Sequence, residues 1–165
     1  MRAASTKAPT RERANFPSLF GEIRQPQTAY LLVPAHTSEN RRYIPLGYMA
    51  PEVICGNANF AIPDATLYHF GVLTSGMHNV WVRYVAGRLE SRYRYSAQIV
   101  YNNFPWPTAP TEKQTAELEA AAQSVLDARA AEFERDRVTT LATLYDPDLM
   151  PPTLVKAHQA LDRAV

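Results

Sequence analysis

"ATLYHFGVLTSGMHNVWVRYVAGRLESRYRYS", residues 65–96, changes its apolar rhythm part-way. As far as Tyr84 the large apolar side chains recur every three or four residues: Leu67, Phe70, Leu73, Met77, Val80, Trp81 and Tyr84. That is the spacing of one helical face. From Gly87 the period becomes two. Arg88, Glu90, Arg92, Arg94, Ser96 and Gln98 alternate with Leu89, Ser91, Tyr93, Tyr95, Ala97 and Ile99. The stretch predicts a helix over 64–86, capped by Asp64 and ended by a left-handed Gly87, then a long alternating strand. A helix feeding such a strand defines an α+β fold, a small mixed or antiparallel sheet packed around a central helix. Gly71 and Gly76 each weaken the helix by roughly 1 kcal/mol, so a close neighbour is expected against each.

Working outward, "AYLLVP" (29–34) reads as a buried strand with a proline stop. "RRYIPL" (41–46) and "EVICG" (52–56) read as two further short strands, and "GNANFAIPD" (56–64) as a loop. Residues 1–26 form a polar lead-in with a small apolar anchor at Phe16, Leu19, Phe20 and Ile23. Downstream, Pro105, Pro107 and Pro110 withhold backbone donors and place a boundary. Thr111, with Gln114 three residues on, opens a helix in a capping-box pattern. Its stripe is Leu118, Ala122, Val125, Leu126, Ala130 and Phe133. A short helix and a turn follow, then a last helix with proline in its first turn. The organisation is thus an α+β segment, 1–110, and a helical C-terminal segment, 111–165. The abrupt start and the uncapped last helix are expected of a piece cut from a longer chain.

The 165 residues are 46% hydrophobic, ordinary for a globular protein. No apolar run is long enough to span a bilayer, so no membrane partner is expected, and the N-terminus lacks a signal-peptide core. The single cysteine, Cys55, forms neither an intrachain disulfide nor a zinc site, which implies a reducing, cytoplasmic setting. The net charge of +1 hides an uneven distribution. Residues 1–110 carry eleven Lys and Arg against six Asp and Glu, and ten of the eleven are arginine. Residues 111–165 carry six against ten. Arginine suits bidentate contact with phosphate and guanine; a plain compositional bias is the other reading.

The alternating polar row sets side chains about 7 Å apart along a strand. In a DNA major groove arginine pairs with guanine, and glutamate accepts from cytosine N4. The competing reading is the wet face of a half-buried strand, with glutamate balancing its arginine neighbours. Arg94 has no such carboxylate beside it. "NNFPWP" (102–107) superficially resembles the N-P-P-Y catalytic loop of amino-methyltransferases, but Asn103 is followed by Phe104. It reads as a structural turn with a buried aromatic plug. His78 and His158 read as structural, the latter in a helix-surface pair with Asp162. No metal-ligand spacing, phosphate-binding glycine loop or nucleophile elbow occurs, so neither catalytic nor metal residues are expected.

Several segments together resemble the target-recognition domain of the MmeI-like restriction–modification enzymes and their methyltransferase-only relatives. They are "YLLVP", "SENRRYIP", "GVLTSGMHNVWVR", "AGRLESRYRYS" and "VYNNFPWP". "LYDPDLMPPTLVKAHQALDRAV" resembles the same family's C-terminal helical segment. The resemblance implies a parent protein with a nuclease region, a helical connector and an adenine-N6 methyltransferase domain that uses S-adenosylmethionine. This chain would need no cofactor of its own, and its partners would be double-stranded DNA and that methyltransferase domain. The implied base-reading residues are Glu90, Arg92, Arg94, Asn57 and Ala58. Glu90 and Arg92 would read one C·G pair from both sides, Arg94 would select a guanine, and Ala58 would meet a thymine methyl or leave room for Arg94. Ser38, Arg41, Arg42 and Arg83 would contact phosphates. A non-catalytic interaction or structural module without DNA binding is the alternative.

Overall fold

The computed structural model describes residues 2–16, 18 and 24–165. Leu19, Phe20 and Ile23 of the expected anchor lie outside the described residues. Phe16 is 62% exposed, so it anchors nothing. A short helix α1 (Ala8–Glu12) is flanked by single 3-10 turns.

Six strands form two small antiparallel sheets. β1 (Tyr30–Pro34) lies between β3 (Gly47–Met49) and β4 (Asn59–Pro63). β2 (His36–Thr37) continues β1 into the second sheet, where it pairs with β6 (Arg92–Arg94), which pairs with β5 (Gly87–Leu89). Ala35 is the corner between the sheets. Its N–H donates to the Ala58 carbonyl at 2.9 Å, and its carbonyl accepts from the Tyr95 N–H at 2.9 Å.

Two expected strands are absent. Residues 41–46 run irregularly through Pro45, which has no donor to give a ladder. In the 52–56 segment the backbone is held by side chains instead. Gln25 Nε2 donates to the Pro51 and Val53 carbonyls, and Gln25 Oε1 accepts from the Cys55 N–H at 2.9 Å. The Tyr30 hydroxyl donates to the Val53 carbonyl at 2.7 Å. The expected 56–64 loop contains β4 instead.

The expected 64–86 helix is two helices, α2 (Leu67–Thr74) and α3 (Gly76–Val85). Ser75 is extended, with ψ 160°, and its hydroxyl oxygen caps α3 by accepting from the His78 N–H. Thr66, not Asp64, caps α2, in a reciprocal box with His69. Asp64 sits at φ 55° and accepts from the Thr28 hydroxyl. The break rotates the apolar face. Phe70 and Leu73 are buried, whereas Met77, Val80 and Tyr84 are 57%, 53% and 86% exposed. α3 buries His78, Asn79 and Val82 instead. Gly87 begins β5 without a positive φ. The close neighbours expected at the helical glycines are present. A Cβ on Gly71 would meet Leu118 Cδ2 at 2.5 Å and Ala122 Cβ at 3.1 Å, and one on Gly76 would meet an Asp162 carboxylate oxygen at 3.1 Å.

α4 (Glu112–Arg135) starts at the expected box of Thr111 and Gln114. α5 (Leu141–Leu144) and α6 (Pro152–Ala164) complete the chain. Leu118, Val125, Leu154 and Leu161 from these helices share one core with Leu31, Tyr43 and Phe70. The buried stripe of α4 continues not to Ala130 but to Arg129, which is 4% exposed. Arg129 donates to the Leu46 carbonyl at 2.6 Å and to the Tyr145 hydroxyl, and lies over the Phe70 and Tyr145 rings. The Tyr145 hydroxyl donates in turn to His158 Nε2 at 2.6 Å. His158 is therefore a core residue rather than half of a surface pair. Among the described residues, no helix is long and apolar enough to cross a membrane.

Candidate nucleic-acid interface

The polar stretch folds as a tight hairpin, not as a long strand. Gly87 faces Arg94, Arg88 faces Tyr93 and Leu89 faces Arg92, with Glu90 and Ser91 as the turn. Glu90 takes φ 57°, a left-handed conformation that costs a non-glycine residue roughly 1–2 kcal/mol. Beyond Ser96 the alternation ends in one wide helical turn, Ala97–Tyr101. Asn103 closes that turn by donating to the Gln98 and Ile99 carbonyls. Phe104, 5% exposed, is the plug of the "NNFPWP" turn, edge-on to His78, Trp81 and Trp106.

A two-residue turn reverses which residues share a face. Cross-strand partners lie on the same side of a sheet, so Arg92 and Arg94 share theirs with Leu89, Gly87 and His36. Arg88 belongs to the other side, with Tyr93 and Thr37. Its guanidinium lies 4.1 Å from the Tyr93 ring centroid and donates to the Ser91 carbonyl at 2.7 Å. The four-residue polar row expected of a straight strand is thus reduced to Arg92 and Arg94, with Glu90 at the tip. Arg92 pairs with Glu90 at 2.6 Å. Tyr93 and Tyr95 face inward as expected, 5% and 3% exposed, and the Tyr95 hydroxyl meets His78 Nε2 at 3.0 Å.

The loop after β2 lies against the hairpin tip. Its Glu39 carboxyl is held below the usual range by its own backbone N–H and the Ser91 hydroxyl, with Arg88 and Arg92 adding to the effect. Ser38 Oγ accepts from the Asn40 N–H at 3.2 Å. Arg83 reaches the loop from α3, donating to the Glu39 and Arg41 carbonyls at 3.3 and 3.2 Å. Arg41 donates through one nitrogen to the Ala142 carbonyl at 3.4 Å, and its buried Nε has no partner. Arg42 is exposed and lies over the Tyr43 ring. Asn57 and Ala58 form an exposed turn, joined through Ala35 to Tyr95, the residue after Arg94.

The structure therefore brings Glu90, Arg92, Arg94, Ser38, Arg41, Arg42 and Arg83 into one connected region, with Asn57 and Ala58 two strand-widths away. Chemically it offers exposed guanidinium donors and one carboxylate on a rigid hairpin, beside a loop rich in cations. Glu39, Asn79, Arg129 and Asp162, which fix this region, were missed by sequence reasoning. Arg129 alone carried a signal: it follows Leu118, Ala122 and Val125 in helical phase. Among the described residues, no group of three His, Cys, Asp or Glu is placed to hold a metal.

The arrangement is that of a two-sheet module with a projecting polar hairpin, and comparisons with known proteins place it. Residues 1–108 match the family described as "MmeI, target recognition domain", and residues 110–165 match "MmeI, C-terminal domain". The chain belongs to this MmeI family. Over 99% of its length it is similar to the solved structure of the type IIL restriction–modification enzyme MmeI in complex with DNA, with 51% identity and a TM-score of 0.89. It is also 40% identical over 164 residues to DNA methyltransferase A of Bacillus subtilis (strain 168). The chain spans about a fifth of these relatives, 21% of the MmeI chain and 18% of DNA methyltransferase A.

Proposed function

We propose that this chain is the DNA-reading region of a restriction–modification methyltransferase, with residues 1–110 as the reading domain and residues 111–165 as its helical support. The observation that carries the reading is the hairpin. Arg92 and Arg94 stand exposed on one face of a firmly packed strand, with Glu90 at its tip and the 38–42 loop alongside. The similarity to MmeI, solved with DNA, supports it. Glu90 and Arg92 read one C·G pair, Arg94 reads a guanine, and the Asn57–Ala58 turn borders a neighbouring pair. Arg41, Arg42 and Arg83 hold phosphates with the donors their protein contacts leave over, and Ser38 does so through its hydroxyl. Double-stranded DNA and the parent's methyltransferase domain are the partners, in the cytoplasm.

Adenine-N6 methylation belongs to the parent, where bound S-adenosylmethionine would supply the methyl group. The residues described here do not fit that cofactor: none of their glycines takes a positive φ, and the amide of Asn103 caps a helical turn. The test is duplex binding by the chain, followed by fluorescence anisotropy while salt rises from about 50 to 200 mM. Three cationic phosphate contacts give a log affinity against log salt slope of about −3. The exposed stripe of Met77, Val80 and Tyr84 on α3 favours a protein-interaction module instead. Absent or salt-independent duplex binding would select that second reading.

A further inference from the structure

The 38–46 segment owes little of its shape to itself. Its internal bonds are the Arg41 N–H to the Ser38 carbonyl, the Asn40 N–H to Ser38 Oγ, and the Leu46 N–H to the Ile44 carbonyl. The rest of its polar groups are held from outside. Asn79 donates to the Arg42 carbonyl, and Arg83 to the Glu39 and Arg41 carbonyls. Arg129 holds the Leu46 carbonyl, and Arg41 reaches back to Ala142. The Tyr43 hydroxyl donates to Asp162 Oδ2 at 2.7 Å.

Two of these outside donors, Asn79 and Arg83, ride on α3. The other oxygen of the same aspartate fixes the start of that helix, since the Gly76 N–H donates to Asp162 Oδ1 at 2.7 Å. A carboxylate there also meets the positive end of the α3 dipole. One carboxylate on α6 thus holds the loop directly, through Tyr43, and indirectly, through the helix whose side chains grip the loop. The Tyr43 ring is 1% exposed and stacks on His158, one turn before Asp162, with ring centroids 4.0 Å apart. Burial first, and Asp162 second, push the Tyr43 hydroxyl above its ordinary pKa, so it stays a donor.

We infer that Asp162 is a positioning residue for DNA: from the C-terminal segment, it sets how the 38–42 loop presents Arg41 and Arg42 to the phosphodiester backbone. The inference rests on the DNA-reading function proposed above. It gives the C-terminal helices a part in DNA binding although none of their residues touches the duplex.

The test uses the full chain carrying Asp162→Asn or Tyr43→Phe. Tyr43→Phe removes one hydroxyl and keeps the buried ring and its stack, so it carries the test if Asp162→Asn fails to fold. Binding is measured well below the melting temperature. The salt slope is expected to become shallower by about 1 to 2, the loss of one or two phosphate contacts. Affinity at about 0.1 M salt is expected to fall about tenfold, as the release of those contacts implies. Discrimination between duplexes differing at one base pair should be unchanged, because the hairpin is not hung on α6. A lower melting temperature with an unchanged slope would show a purely structural aspartate and overturn the inference. Absence of salt-dependent binding in the unaltered chain would overturn the DNA-reading function itself.

Discussion

Arg92 donates to Glu90 Oε2 at 2.6 Å across the hairpin tip, with the two side chains 50% and 74% open to solvent. A pair so exposed contributes roughly 0–1 kcal/mol to stability, so its geometry matters chiefly for what it meets outside the protein. Exchanging the two, Glu90→Arg with Arg92→Glu, keeps the pair and reverses the order of donor and acceptor. The expected outcome is a changed base-pair preference at one position of the bound site, by about 1–3 kcal/mol, with little change in melting temperature. Competition among four duplexes varied at that pair reads it. An unaltered preference would remove both residues from the reading set.

Arg88 and Arg94 make a second, sharper comparison, because the hairpin puts them on opposite faces. Arg94→Ala is expected to relax selection at one base pair by about 1–3 kcal/mol while leaving the fold intact. Arg88→Ala removes the stack on Tyr93 and the bond to the Ser91 carbonyl. It is expected to lower thermal stability by about 1 kcal/mol and to relax no single position selectively. A straight strand predicts similar binding defects for both, so parallel binding and melting curves separate the two geometries.

This parity is where the sequence was hardest to read. "RLESRYRY" alternates equally well as one long strand or as a two-residue hairpin, and the turn carries Glu90 at positive φ rather than the asparagine or glycine that marks such turns. The helix break was more legible in principle. Ser75 before Gly76 is a capping serine inside an apolar pattern, but the three-and-four spacing ran through it and misplaced Met77, Val80 and Tyr84 inside. Elements fixed by local chemistry came through: the β1 run ending at Pro34, the Thr111–Gln114 box and the proline start of α6. The residues that shape the 38–46 segment did not, because Asn79, Arg129 and Asp162 act on carbonyls and hydroxyls far away in the chain. No spacing rule reports such a contact.

Gly71 tests the joint between the two segments. A Cβ there would lie 2.5 Å from Leu118 Cδ2 and 3.1 Å from Ala122 Cβ on α4, and 3.4 Å from Leu161 Cδ1 on α6. Valine adds two further carbons where α2 meets both helices. Gly71→Val is expected to destabilise the chain by roughly 1–3 kcal/mol through overpacking, more than helix propensity returns. Urea denaturation followed by far-UV circular dichroism reads this as a lower midpoint. A midpoint at or above that of the unaltered chain would mean that α4 and α6 can withdraw from α2 at no cost.

His78 and His158 make stability depend on pH. Both are buried, with a tyrosine hydroxyl at Nε2. Burial lowers His78 from 6.5 to about 4. Burial, followed by the charges of Arg129 and Arg42, lowers His158 from 6.5 to about 3. Below about pH 6.5 the unfolded chain binds protons that the fold refuses, so stability rises with pH across this window. The contribution is complete above the unfolded value and is lost as pH falls toward the folded ones, at up to about 1.4 kcal/mol per pH unit for each histidine. Denaturant unfolding between about pH 7 and 5 should show that slope. His158→Gln keeps an acceptor for the Tyr145 hydroxyl and does not titrate, so its acid limb should be shallower by about one proton. Equal slopes in the two proteins would mean that His158 takes up a proton in the folded core as readily as in water.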